Sequence, residues 1–136
     1  MLLDELKAYL VAQGVGVFGT SLFLGSKARI PSENGDDGPY ISLIETGGSG
    51  PTRIQNQSTA NTQRPTVQVV VRAKSYLVAR TKSKQVYQAL DGLYNTTLSG
   101  VLYHSVVARQ EPTDIGLDTV DRPMVVFNLD IEKAFS

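Results

Sequence analysis

Cysteine is absent from the 136 residues, so neither a disulfide nor a thiolate metal site can hold this chain together. Histidine occurs once, at His104, which removes every histidine-cluster metal site and leaves one base for a histidine triad. Neither sign of charge is in excess, because thirteen Lys and Arg balance thirteen Asp and Glu. A dedicated nucleic-acid binder usually carries a basic surplus, since phosphate neutralisation supplies most of its affinity. No run approaches the ~18 consecutive apolar residues of a spanning helix, so no membrane partner is expected. The start, MLLDELKAYLVAQG, sets Asp4 and Glu5 where a secretory signal wants positive charge. A soluble product of a cytoplasm is the expectation.

What is present suits one core. Hydrophobic residues make up 41% and charged residues 19%, which excludes whole-chain disorder. Domains most often run ~100–150 residues, so a single domain over 1–136 is expected. Leu2, Leu3, Leu6, Tyr9 and Leu10 recur at helical steps until Gly14. Thr20 to Leu24 and Pro39 to Glu45 read as strands, separated by turn residues around Asn34-Gly35 and Gly38. From Gly47 to Pro65 the chain is polar, with Ile54 its one large apolar residue, and a flexible arm is expected at about 46–65. Val67 to Arg72 carries valine on both faces, as an interior strand does.

Ser75 is a plausible cap for a second helix running to about Tyr94, with Ala79, Val86, Leu90, Leu93 and Tyr94 as its buried stripe. Gly100–Gln110 and Arg122–Glu132 read as the last strands, joined by an acidic loop. The order α-β-β-β-α-β-β describes an α+β fold: a mainly antiparallel sheet with helices packed on one face.

Catalytic and ligand motifs fail on context. Gly14, Gly16 and Gly19 spell G-x-G-x-x-G, yet they follow a helix and open a strand, the reverse of a dinucleotide site. They read as a helix stop. Asp114, Asp118 and Asp121 with Gly116 lack the alternate spacing and closing Glu of a calcium loop, so a solvated loop or subunit contact is the better reading. Ser105 follows His104 along a strand and so points to the opposite face, which prevents a dyad. No enzyme, metal or cofactor is expected.

Charge distribution is more informative than its sum. Arg53, Arg64, Arg72, Lys74, Arg80, Lys82 and Lys84 fall in a stretch without any acid. Glu111, Asp114, Asp118, Asp121, Asp130 and Glu132 follow, opposed only by Arg122. Two surfaces facing each other inside one subunit, or simply solvated, would explain this. Complementary edges of a ring would too, as would a basic arm facing nucleic acid.

The run Glu111-Pro112-x-Asp114-x-Gly116-x-Asp118-x-x-x-Arg122-Pro123, with Phe127-Asn128-Leu129 after it, resembles the C-terminal signature of tailed-phage minor capsid and tail terminator (tail completion) proteins. Ser75-Tyr76-x-x-Ala79-Arg80, leading into Val86-Tyr87-x-Ala89-Leu90, is similar to their helix. The resemblance covers essentially the whole chain, the long polar stretch from Gly47 to Pro65 being the departure. It implies a structural virion protein, not an enzyme, that caps the tail tube as a homohexameric ring and offers the head-joining surface. The implied partners are the protein itself, the tail tube protein, a head-completion or connector protein and, transiently, DNA passing through the ring. It implies assembly in a bacterial cytoplasm and a final place at the head–tail junction. Arg53, Arg64, Arg80, Lys82, Lys84, Asp114, Asp118 and Asp121 are the candidate interface residues. Another head–tail connector, or a small nucleic-acid-binding α+β module, is the alternative.

Overall fold

A computed structural model describes residues 2–16, 22–24, 39–52, 62–117 and 123–134, with backbone only at 48–52, 62–63, 117 and 134. The elements are α1 (Leu2–Ala12), β1 (Leu22–Leu24), β2 (Tyr40–Thr52), β3 (Thr62–Arg72), α2 (Tyr76–Leu90), β4 (Leu93–Leu98), β5 (Val101–Ala108), β6 (Thr113–Leu117) and β7 (Pro123–Ala134). The fold is α+β, as the sequence predicts, but with two more strands, β4 and β6.

The seven strands among the described residues form one mixed, mostly antiparallel, curled sheet in the order β1-β2-β3-β7-β5-β4, with β6 off this path and paired to β7. Only the β1–β2 pair is parallel among the described strands. Strand β7 is the spine: β3 lies along one side, while β5 pairs with its Leu129–Lys133 half and β6 with its Pro123–Val126 half on the other.

Alternation along the central strands sets the core. Ile41 and Leu43 of β2, Val67, Val69 and Val71 of β3, and Val125, Phe127 and Leu129 of β7 lie in register on one face and are buried. Both helices cover that face. The first brings Leu2, Leu6 and Leu10, the second Ala79, Val86 and Leu90, on the 3.6-residue spacing of an amphipathic helix. Strand β3 also buries Val70 on the opposite face, which explains its valine on both sides.

The second helix ends at Leu90, short of the expected Tyr94. Asp91 is extended at the C-cap and Gly92 follows at φ +85°, a conformation that costs glycine little. Leu93 and Tyr94 therefore open β4, and Tyr94 is exposed rather than part of a helical stripe. A two-residue turn, Ser99-Gly100, returns the chain to β5; both residues have positive φ, as a type I′ hairpin requires.

The expected acidic loop between the last strands contains β6. At the hairpin of β2 and β3, pairing continues to Ser49↔Arg64 and Thr52↔Thr62, so the strands run beyond Glu45 and begin before Val67. Residues 53–61 of the expected arm lie outside the described residues, as do Arg53, Asp118 and Asp121.

Candidate interaction surface

The cations expected on a free helix face have separate fates. Ser75 caps α2, its hydroxyl accepting from the Val78 N–H at 3.3 Å, while the buried stripe of Ala79, Val86 and Leu90 sets the helix's rotation over the sheet. Lys82, half-buried, then points towards the end of α1 and donates to the Val15 carbonyl at 3.1 Å. Cations are favoured at such a helix end. Arg80 and Lys84 instead face the link between β5 and β6, where they line a cleft of about 130 Å³ with Tyr87, Glu111 and Pro112. Arg80 donates to the Tyr76 hydroxyl at 3.2 Å, and neither cation has a carboxylate partner among the described residues. The charge of Asp91, then burial, then the charge of Glu111 hold the Tyr87 phenol above its usual range. The cleft is therefore dipolar, basic towards the start of α2 and acidic towards its end.

Asp114 stands opposite Val125 in β6, which places it on the helix side of the sheet. Its carboxylate accepts the Gly116 N–H at 3.0 Å across a bulge, with Gly116 at φ +104°. Arg64 lies on β3 beside Glu132 at 3.9 Å. Within one subunit, then, the fold brings Arg80, Lys84 and Glu111 together and sends Lys82 and Arg64 elsewhere.

On the sheet face away from the helices, Arg64, Thr66, Ser105, Val107, Asp130 and Glu132 line a groove of about 400 Å³. Arg109 clasps Asp130 there through two hydrogen bonds of 2.5 and 3.2 Å, which raise the guanidinium pKa. The groove carries cations and anions in pairs, with no nucleophile–base arrangement in it. His104, half-buried in β5, lies outside both concavities. Gly14, at φ +73°, donates to the Val11 carbonyl and stops α1, a turn rather than a phosphate cradle.

Two features lie outside the sequence expectations. Tyr76, Leu77 and Val78 are three successive exposed apolar residues in the first turn of α2, Leu77 being 73% exposed. Three apolar neighbours cannot share one helical stripe, so this signal was available in the sequence. The other is a buried polar cluster. Glu5 on α1 accepts from the Tyr103 hydroxyl at 2.6 Å and from the Lys133 ammonium at 2.9 Å. Nothing in local sequence links residues so far apart.

Among the described residues the fold is one sheet covered by two helices, with exposed patches of both charge signs. Comparison with known proteins gives the family. A family model described as "Bacteriophage tail terminator protein" matches residues 9–134, and the chain belongs to that family. The family is structural rather than enzymatic, and the chain is a virion tail component. No curated protein matches the chain. Its fold is similar to that of a chain in the virion of a native gene transfer agent particle, with a TM-score of 0.55 and 17% identity over 98% of this chain and 91% of that one. A second solved structure shares the fold at a TM-score of 0.53 and 11% identity, covering 95% of this chain and 94% of its own.

Proposed function

We propose that the protein closes the finished tail tube as a homohexameric ring and presents the surface to which the filled head joins. The observation that carries this reading is the tail terminator match over residues 9–134. Exposed patches of both signs on one small subunit support it, since a head-to-tail ring needs two different complementary surfaces and no net charge. Its partners are further copies of itself, the tail tube protein and a head-completion or connector protein, with DNA passing through the ring. The ring assembles in the bacterial cytoplasm and stays at the head–tail junction, and no cofactor is involved. A cap stops growth, so purified tail tube protein polymerised with this protein should give shorter tubes. Unchanged tube lengths, with the protein bound to heads instead, would move it to the head-completion side of the junction.

A further inference from the structure

Resting on the ring reading above, we propose that the outer stripe of α2 in one copy docks on the open β6 edge of the next copy. Tyr76, Arg80 and Lys84 recur at four-residue steps and so stand in one row along α2. Leu77, beside them, is the most exposed of the large apolar residues described. The row thus offers an apolar end and two cations with no carboxylate partner among the described residues. Arg64 and Arg109, by contrast, each stand beside a carboxylate of β7.

The complementary surface is on β6. This strand pairs only with β7, so its other side is open among the described residues. Asp114, on the helix side of this edge strand, is exposed with its carboxylate steadied by the Gly116 N–H, and Ile115, in the bulge, is 50% exposed. Bulges re-aim side chains outward, and an acidic, bulged edge resists the addition of another strand. The partner that suits β6 is therefore a helix face, with an apolar side chain for Ile115 and a cation for Asp114. The α2 row supplies both. Glu111, at the rim of the same cleft as Arg80 and Lys84, weighs against a polyphosphate as the occupant.

Charge reversal tests the contact in full-length protein, with rings counted by negative-stain imaging both free and at tail-tube ends. Arg80→Glu with Lys84→Glu should lower the number of rings by about tenfold or more, and so should Asp114→Lys. Mixing the two variants should restore rings, because each new anion then meets a new cation on its neighbour. Leu77→Gln, at a site too exposed to affect folding, should weaken assembly without any change in charge. Rings formed equally by wild type and the Arg80/Lys84 variant would overturn this inference and leave the ring reading standing. A mixture that stays unassembled while wild type forms rings would overturn it too. Wild type without rings in either setting would instead overturn the ring reading, and this contact with it.

Discussion

Glu5 in the first turn of α1 and Lys133 near the end of β7 form an ion pair of 2.9 Å, with both side chains almost fully buried. Tyr103 of β5 completes the cluster through its hydroxyl, and the Lys133 ammonium lies 5.4 Å from its ring centroid. The pair ties the first helix to the spine strand across the whole length of the chain. Leucines alone would let α1 slide or rotate on the sheet, whereas a buried charge has one satisfactory position.

Removing one partner strands the other in the core. Glu5→Leu or Lys133→Met alone should cost about 3–5 kcal/mol, while the double substitution leaves the Tyr103 hydroxyl unpaired and should cost less, about 1–3 kcal/mol. Urea unfolding of the three variants measures this. Equal destabilisation by the single and double substitutions would show that the pair contributes as packing only.

The same cluster sets how stability depends on pH. Burial pushes the Glu5 carboxyl up, but hydrogen bonds from Tyr103 and Lys133 and the Lys133 charge outweigh it, leaving the pKa below the ordinary 4.5. The pair's contribution is therefore full above pH 4.5 and lost as pH falls through the lower, folded value. Burial first, and then the Glu5 carboxylate, raise the Tyr103 phenol well above its ordinary 10.0. Stability should thus also fall as pH rises above 10.0. Melting temperatures of wild type and Tyr103→Phe across both limits check this, and the alkaline loss should be smaller in the variant.

Asp91 closes α2 and fixes the strand that follows. Its carboxylate accepts the Ala108 N–H at 2.7 Å, while its own N–H donates to the Tyr87 carbonyl at 2.8 Å. Asp91→Ala leaves the Ala108 N–H unpaired and should cost about 1–3 kcal/mol, visible as a lower urea midpoint. An unchanged midpoint would mean that water replaces the carboxylate at no cost.

The hairpin turn between β4 and β5 makes a smaller claim. Gly100 sits at φ +81° with open space around a Cβ, so Gly100→Ala meets no clash and carries only the backbone cost. About 1 kcal/mol of stability should go. A neutral result would show that the turn has another conformation available.

Much of this fold can be read from pattern, and the exceptions have physical causes. The second helix follows from its cap at Ser75 and its 3.6-residue stripe, and β3 and β7 from their runs of branched and aromatic residues. Strand β4 was hidden because Leu93 and Tyr94 continue the helical spacing after Leu90, and only Asp91-Gly92 breaks it. Strand β6 was hidden by its glycine bulge and its exposure. The burial of Glu5 has no local signal, because the partners that bury it are supplied by β5 and β7. For the surface, the basic and acidic stretches were legible, but not that Lys82 turns inward to α1 while Arg80 and Lys84 stay open. Sequence order does not reveal which way a helix is rotated on a curled sheet.

The central claim is that this protein is the ring that ends the tail tube, and imaging tube ends tests it most directly. Purified tail tubes should be mixed with the protein and examined by negative-stain microscopy, alongside a mass measurement of the free protein. The account predicts one ring at a single end of each tube and none along the walls. Bare ends, or binding along the whole tube surface, would contradict it.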